Sequence, residues 1–481
     1  MKRLLPLLLT ALGFSAGVRA ADSSAAAPAH VDGFKYVKTV GAISEYTFTG
    51  NGLTVLLLPE HSAPVVTFMV TYRVGSRNEV TGTTGATHLL EHLMFKGSEN
   101  YNDAKGNSVK QFLETVGGNY NATTYLDRTN YYAEIGNEHL EGYMAIEADR
   151  MRNLWLRESD RQPEMTVVRN EFEIGENDPT QALDKEIFAA AFQAHPYHHS
   201  TIGWRSDIEK VPIEKLREFY DTFYWPDNAT VSVIGDFQPE KALALVKKYY
   251  GAYPKAPKPI PQVYTEEPEQ TGPRRVTVQR AAELGVVGLS YKSPAATHPD
   301  IAALNVLGNI LSSGKTSRFY RALTDKNLTT SVDAGAGYFH DPSLFQIYAN
   351  LAPNVTHDQV EKVLVEEIDR LKKDGVTAAE VSSAIGKITA TMAYKRDGTY
   401  AIASNLNEDI AAGDWTLYYT LDDATKKVTA DDVKRVANLY LDINRSVTGW
   451  FIPAVDTKAQ ADAGPATPQP PAPSPAPSTA K

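Results

Sequence analysis

An internal duplication is the feature of this 481-residue chain that most constrains its fold. The segment VVTFMVTYRVGSRNE at 65–79 is matched by VVGLSYKSPAATHPD at 286–300, and an apolar helical stretch follows each segment. Both halves also end alike, with a helical segment that leads into a strand at 208–237 and again at 423–453. Because a repeated sequence pattern folds into a repeated structural unit, the chain predicts two homologous domains.

Strand-like and helical segments alternate in both halves. Runs such as LTVLLLP at 53–59 and TVSVIGDF at 230–237 are apolar and rich in β-branched residues, and amphipathic stretches separate them. This pattern predicts an α+β fold with two homologous domains, each a mostly antiparallel sheet covered by helices.

The chain begins with the composition of an export signal. Lys2 and Arg3 precede a short apolar stretch, and Val18-Arg19-Ala20 follows it as a small-residue cleavage pattern. The apolar stretch is shorter than the ~20 residues that a membrane-spanning helix needs. We therefore expect residues 1–20 to be a signal peptide cleaved near Ala20. The mature protein would be periplasmic or secreted, without a permanent membrane span.

Segments rich in proline and alanine delimit the folded parts, because they cannot build a hydrophobic core. A Pro-rich stretch separates the two halves, and the chain ends in a Pro/Ala-rich tail. The predicted division is a mobile N-terminal segment at 21–34, a catalytic first domain at 35–252, a Pro-rich linker at 253–273, a second domain at 274–455 and a disordered tail at 456–481.

Composition excludes several classes of function. The chain has no cysteine, which rules out disulfides, zinc-thiolate sites and thiol nucleophiles. Its net charge of −10 argues against nucleic acids and anionic membranes as partners. An acidic protein weakly favours neutral or basic peptides as ligands.

Residues 88–92 read His-Leu-Leu-Glu-His. Positions i and i+4 share one face of a helix, so His88 and His92 could bind one Zn²⁺ together. Glu91 precedes the second histidine, and its carboxylate can reach the neighbourhood of the metal and act as a general base toward water. The order H-x-x-E-H is the inverzincin signature.

A third metal ligand should be a carboxylate elsewhere in the chain. The segment at 163–178 offers Glu164, Glu171, Glu173 and Glu176. Glu164 and Glu171 lie almost two helical turns apart and so share a face. Acidic runs are usually solvated helix faces, and the spacing alone does not choose among these carboxylates.

Three segments resemble the pitrilysin/insulinase family of zinc peptidases, which includes mitochondrial processing peptidase. They are YRVGSRNE at 72–79, GATHLLEHLMFKG at 85–97 and VVRNEFE at 167–173. The similarity extends from about residue 45 to 455, nearly the whole mature chain.

This resemblance assigns roles to the candidate residues. It implies that His88 and His92 are zinc ligands and that Glu91 is the general base. Glu171 would be the third ligand, and Glu164 would support the site without binding the metal. One Zn²⁺ per chain is expected.

The family pattern GG-x-x-NA-x-T, found at its substrate strand, is matched from Gly117 to Thr124. On sequence grounds alone, an ordinary hairpin explains this stretch equally well. The resemblance implies that an extended peptide would lie beside this strand and add main-chain hydrogen bonds. The residues expected to bind it are Asn121, Ala122, Thr123 and Thr124.

The second half lacks metal ligands at the positions that match the pentad. Asn305, Gly308 and Asn309 stand there approximately, so this half should be structural or provide substrate-binding surface. HPYHH at 195–199 is interpreted as a structural loop, because a Pro-Tyr break separates its histidines. TSRFYRAL at 316–323, with Arg318, Tyr320 and Arg321, is interpreted as amphipathic helix surface.

Together these observations predict an exported zinc metalloendopeptidase that cleaves peptides or unfolded polypeptides. The alternative is a non-catalytic scaffold or partner subunit of a peptidase complex, for which a decayed pentad would be typical. Larger relatives resemble two such units in tandem. We therefore expect a homodimer, or a heterodimer with a related inactive subunit.

Overall fold

A computed structural model describes residues 28–454 of the protein. The predicted signal peptide at 1–20 and the predicted tail at 456–481 lie outside the described residues. The described part contains two mostly antiparallel sheets with helices packed around them, which confirms the predicted α+β class.

The first sheet has seven strands, and one of its edges carries the predicted substrate strand. The strands are β1 Phe34–Val40, β2 Ile43–Phe48, β3 Thr54–Pro59, β4 Val65–Tyr72, β5 Asn119–Thr124, β6 Thr129–Gly136 and β7 Ala229–Gly235. Their order is β1-β2-β3-β7-β4-β6-β5, and only β3 and β7 pair in parallel. β5 therefore has β6 on one side and a free edge on the other.

The second sheet repeats the inner part of the first. Its strands are β8 Arg274–Ala281, β9 Val286–Ser293, β10 Thr329–Ala336, β11 Ser343–Leu351 and β12 Ser446–Ala454. Their order is β10-β11-β9-β12-β8, with β8 and β12 in parallel. This order corresponds strand for strand to β5-β6-β4-β7-β3, so the two halves share one topology, as the sequence duplication predicts.

Helices follow corresponding strands in the two halves. The first half contains α1 Ala86–Leu93, α2 Val109–Val116, α3 Leu140–Arg152, α4 Glu158–Asn177, α5 Pro179–Ala191, α6 Arg205–Lys210, α7 Ile213–Phe223 and α8 Pro239–Tyr250. The second half contains α9 Ile301–Ser312, α10 Arg318–Ala322, α11 His357–Asp374, α12 Ala378–Tyr394, α13 Thr399–Ala412, α14 Leu417–Thr425 and α15 Ala430–Tyr440.

Each half also covers the sheet of the other half with one helix. Helix α5 packs on β8, β9 and β12 of the second sheet, where Leu183 and Ile187 are fully buried. Helix α13 packs on β4, β6 and β7 of the first sheet, where Ala403 and Leu406 are fully buried. Since each sheet needs apolar cover on both faces, the two halves complete each other's cores.

The segments outside the two sheets have simple roles. Ala29, Val31 and Phe34 pack against the first core, so the described end of the segment at 21–34 contacts the first half. Residues 253–273 form neither helix nor strand and connect the halves.

Across 28–454, we find no helix that combines the length and the apolar character needed to cross a membrane.

Candidate metal centre

Helix α1, which carries the pentad, is held at its N-terminus by two loops. Glu79 accepts hydrogen bonds from the backbone N–H groups of Gly85 and Thr87, each at 2.8 Å. Gly85 has φ +83°, and a Cβ at this position would lie 2.4 Å from the carbonyl oxygen of Ile202. Glycine is therefore required where the loop turns into the helix. Glu79 binds these N–H groups from across the loop, and the sequence analysis did not predict this contact.

Burial of one face of α1 orients the other face toward the site. Leu89, Leu90 and Leu93 are almost completely buried in the first core. The helix packs against α4, α7 and β5. His88 and His92 consequently share one face, with ring centroids 4.9 Å apart.

Helix α4 brings Glu171 to the two histidines. Val168 is buried, and Met165 and Phe172 pack against the first core, so this side of α4 is fixed beside α1. Glu171 Oε2 lies 3.6 Å from His88 Nε2 and 3.5 Å from His92 Nε2.

Two of the other carboxylates of the segment point away from the histidines. Glu173 contacts Arg205 at 3.5 Å, and Glu176 pairs with Lys185 and Arg280. Within residues 28–454, His88, His92 and Glu171 form the only group of three such side chains whose ligand atoms all lie within 4.8 Å of one another. Helical spacing does not choose among the four carboxylates, but tertiary packing places Glu171 beside both histidines.

These distances suit a tetrahedral zinc ion. Bonds of about 2.0–2.2 Å from zinc to nitrogen and oxygen place neighbouring ligand atoms about 3.3–3.5 Å apart. The two distances from Glu171 to the histidines are close to this value. Burial and the neighbouring His92 lower the pKa of His88 to about 4, which keeps its imidazole neutral at physiological pH, as a metal ligand requires.

Glu164 contacts the nitrogen of His92 that faces away from Glu171. Its Oε2 is 3.1 Å from His92 Nδ1, and Lys96 pairs with its other oxygen. Burial raises the pKa of Glu164, but the contacts with Lys96 and His92 outweigh burial and lower it overall, so the carboxylate is ionised. An ionised Glu164 holds the proton of His92 on Nδ1 and leaves Nε2 available toward Glu171.

Glu91 is the third polar residue of the pentad and faces β5. Its side chain is largely buried, and its Oε2 accepts a hydrogen bond from Thr124 Oγ1 at 2.6 Å. Burial raises the pKa of Glu91 above its ordinary value. A carboxylate with a raised pKa is a stronger base at neutral pH, which is the property that a general base needs.

The free edge of β5 offers backbone groups next to Glu91. Tyr125 N donates to Arg128 O at 2.9 Å, which makes these residues a hydrogen-bonded pair. Because such pairs alternate along an antiparallel ladder, the N–H and C=O groups of Ala122 and Thr124 point away from β6. The Asn121 and Thr123 side chains are exposed on the face opposite Ala122.

The second half supports this edge through a contact that the sequence did not predict. Arg128 Nη1 donates to the Thr123 carbonyl at 3.0 Å, and Arg128 Nη2 donates to Glu408 Oε1 of α13 at 2.6 Å. The ring of Tyr125 also lies 5.5 Å from that of Phe339. The second half therefore buttresses the hairpin beside the metal centre.

Two motifs that the sequence analysis interpreted as structural, at 195–199 and 316–323, form contacts that hold the fold together. His195 Nε2 is 3.0 Å from Asp341 Oδ2 in the second half, so the loop at 195–199 helps to join the halves. Arg318 Nε donates to Glu380 Oε1 at 2.8 Å, as expected for a helix-surface pair.

Most of the chain matches a known protein family. Residues 54–204 match the family described as Insulinase (Peptidase family M16), and residues 210–388 match Peptidase M16 inactive domain. The zinc protease PqqE of Helicobacter pylori is 31% identical over 408 residues, which are 84% of this chain and 91% of that protein. The chain belongs to the M16 peptidase family. The family resemblance predicted from the sequence is therefore confirmed.

Solved structures of M16 proteins share this fold. A protease from Helicobacter pylori superimposes with a TM-score of 0.81 at 31% identity, over 85% of this chain and 99% of that chain. The periplasmic protease PqqL of Escherichia coli superimposes with a TM-score of 0.71 at 17% identity. That match covers 89% of this M16 chain but only 49% of PqqL.

The contact between Thr124 and Glu91 leads to a first prediction. Thr124→Val removes the hydroxyl that orients the Glu91 carboxylate while keeping the β-branched shape of the side chain. A hydrogen bond to a charged group contributes about 1.5–3 kcal/mol, so we expect kcat on a peptide to fall by about 10- to 100-fold. Thr115→Val, on the exposed face of α2, serves as the matched control. Unchanged turnover of Thr124→Val would show that Glu91 acts without this contact.

Proposed function

We propose that this M16 protein is an exported zinc-dependent endopeptidase that hydrolyses peptides or unfolded polypeptides. The observation that carries the proposal is the convergence of His88, His92 and Glu171 beside Glu91, which is hydrogen-bonded to a free sheet edge. The names of relatives such as zinc protease PqqE point in the same direction.

The three converging side chains would hold one zinc ion per chain. Two neutral imidazoles and one carboxylate form a ligand set typical of catalytic zinc, which keeps a further position open. When bound, zinc would supply Lewis acidity, polarising the scissile carbonyl and making a water acidic enough to ionise near neutral pH. Glu164 would keep the His92 ring oriented, as second partners of zinc-binding histidines do.

Glu91 would move the proton. Its carboxylate would take a proton from the attacking water and later deliver it to the nitrogen of the leaving amine. The hydroxyl of Thr124 fixes the orientation of this carboxylate. Burial, which raises the pKa of Glu91, brings its basicity closer to that needed for both transfers.

The substrate would add to the first sheet as an extra strand. An extended peptide beside β5 would pair with the outward-pointing backbone groups of Ala122 and Thr124. It would replace the hydrogen bond that the Ala122 N–H donates to Asn121 Oδ1 at 2.9 Å. This register would carry a peptide bond past Glu91 and the metal. Asn121 and Thr123 would line the path of the peptide through their exposed side chains. Folded proteins cannot offer such an extended segment, which favours peptides and unfolded chains.

The site argues against the alternative of a non-catalytic scaffold. A scaffold would be free to lose the ligands or the base, yet the complete set lies together here. The composition of residues 1–20 supports export to the periplasm or the exterior.

Metal analysis combined with a peptidase assay tests the proposal. Protein purified without residues 1–20 should contain one zinc per chain and should cleave an unstructured fluorogenic peptide. Removing the metal with a chelator should abolish cleavage, and adding zinc back should restore it. A folded protein that binds zinc but cleaves no peptide, alone or with a related subunit, would favour the scaffold alternative.

We further propose that one chain is half of the working enzyme. The chain matches only 49% of PqqL, and the positions of its second half that match the pentad carry Asn305, Gly308 and Asn309 instead of ligands. A lone unit leaves the metal face open to bulk water, which weakens electrostatic catalysis. Two facing units, identical or with one related inactive subunit, would enclose the site.

This arrangement gives a second prediction. Peptide cleavage per chain should rise with protein concentration in step with dimer formation measured by sedimentation. If the partner is a related inactive subunit, activity should instead appear only when that subunit is added. Folded globular proteins should be cleaved far more slowly than peptides. A fully active monomer that digests native globular proteins as fast as peptides would contradict this arrangement.

A further inference from the structure

A pocket of about 450 Å³ lies next to the metal centre and has Glu171 in its lining. Tyr125, which directly follows Thr124 at the end of β5, lines the same pocket. The pocket therefore adjoins both the proposed metal ligand and the strand beside which a peptide would lie. A side chain of a peptide bound along β5 is the group best placed to enter it.

Aromatic side chains make up much of the apolar lining. Phe172 comes from α4, Phe188 from α5 and Tyr348 from β11 of the second sheet. Leu126 and Ile202 add aliphatic surface. Because aromatic rings attract one another in offset and edge-to-face arrangements, this lining suits another aromatic ring.

Apart from the proposed metal ligand, the acidic and basic side chains of the lining already have partners. Glu176 pairs with Lys185 and, at 2.6 Å, with Arg280 Nη2. Asp184 Oδ1 accepts a hydrogen bond from the Tyr348 hydroxyl at 2.6 Å. A charged side chain that entered the pocket would lose its water without gaining an opposite charge, which is unfavourable.

A glycine near the end of α4 keeps the pocket open. Gly175 lies one helical turn after Glu171 and belongs to the lining. Outside the helix itself, the nearest atom that a Cβ at this position would meet is Gln181 Oε1, at 3.3 Å. Glycine is a poorer helix former than alanine, and here its missing side chain leaves space beside the metal ligand.

From these contacts we propose that the pocket receives an aromatic side chain of the peptide, that of phenylalanine or tyrosine, close to the bond that is cleaved. The ring would lie among Phe172, Phe188 and Tyr348, in the space that Gly175 leaves open. This selectivity rests on the proposed function, because it takes the occupant to be a peptide that lies along β5. Peptides with a charged residue at that position would be poor substrates.

Peptide binding to the Glu91→Gln protein tests the pocket without cleavage. The probes are short peptides of alanine and serine with one central guest residue, and isothermal titration calorimetry measures their affinity. The guest can enter the pocket in whichever register the host peptide allows. The phenylalanine peptide should bind at least about tenfold more tightly than the lysine or the aspartate peptide, because burial of a ring is favourable and burial of an unpaired charge is not.

Two further substitutions in this protein change the pocket in different ways. Gly175→Leu fills it with a residue that favours helix, so the phenylalanine peptide should bind no more tightly than one with alanine as the guest. Thr180→Asp adds a carboxylate to the lining in the first turn of α5, where acidic residues favour the helix. The lysine peptide should then bind more tightly than the phenylalanine peptide. Gly386→Leu on α12, where a Cβ would face open space, is the matched control and should leave binding unchanged.

Cleavage of the same peptides by the unsubstituted protein separates this proposal from the proposed function. A binding preference without cleavage would support the pocket and contradict the peptidase, whereas cleavage without a preference for the phenylalanine peptide would do the reverse. Circular dichroism shows whether each variant is folded, and if one variant unfolds the other decides. The pocket proposal is overturned if the phenylalanine peptide does not bind, if the lysine or aspartate peptide binds equally well, or if a folded variant keeps the original preference.

Discussion

Glu91→Gln is expected to keep the fold and the bound zinc but to lower kcat on a peptide by about 10²–10⁴-fold. Proton transfer by a positioned carboxylate is typically worth about this factor, and an amide cannot accept the proton. Glutamine has nearly the shape of glutamate and can still bond to Thr124, so the packing around α1 should persist. The measurement is single-turnover cleavage of a fluorogenic peptide, with metal content determined on the same sample.

The matched control is Glu173→Gln on α4. Glu173 is exposed and contacts Arg205, away from the converging ligands, so its variant should cleave the peptide at the normal rate. Near-normal turnover of a zinc-loaded Glu91→Gln protein would mean that another residue acts as the base.

His88→Ala and Glu171→Gln are expected to lose both zinc and activity. His88→Ala leaves one imidazole and one carboxylate, and Glu171→Gln leaves two imidazoles. Two ligands are too few to hold zinc tightly in a tetrahedral site. Zinc content after dialysis should fall from one per chain to a small fraction, and peptide cleavage should fall to background. Full zinc content in either variant would contradict the assigned ligands.

Glu164→Gln provides a graded comparison. This residue contacts His92 from behind, so its variant should bind zinc about 10- to 100-fold more weakly without losing the site, as loss of a second partner usually does. Competition with a chelator of known affinity measures this difference. Equal losses in Glu164→Gln and Glu171→Gln would remove the distinction between a supporting residue and a ligand.

Much of the site was predictable because its parts are encoded locally. The i, i+4 spacing of His88 and His92 follows from helix geometry, and the leucines between them identify the buried face. In the structure, β5 lies at a sheet edge, and Thr124 Oγ1 donates to Glu91. The family resemblance points to Glu171, whereas helical spacing alone does not choose among the four carboxylates of the segment at 163–178.

The contacts that were missed join residues far apart in the chain. Glu79 caps α1 across the loop at 80–84, and the sequence gives no period that connects them. Arg128 reaches Glu408 in the other half, and neither residue belongs to a motif. Such pairs depend on how the sheets pack, which a local pattern cannot specify.

By itself, the amino-acid sequence determined the duplication, the α+β class, the helix that carries the pentad and the loss of the pentad's histidines and glutamate at the matching positions of the second half. These features follow from residue chemistry and from short-range periodicity, and both can be read directly from the amino-acid sequence. Only the tertiary structure decided which carboxylate lies beside both histidines, and how α5 and α13 each cover the opposite sheet. Those outcomes depend on apolar faces that must be buried against distant elements, and burial is settled only when the whole chain has folded.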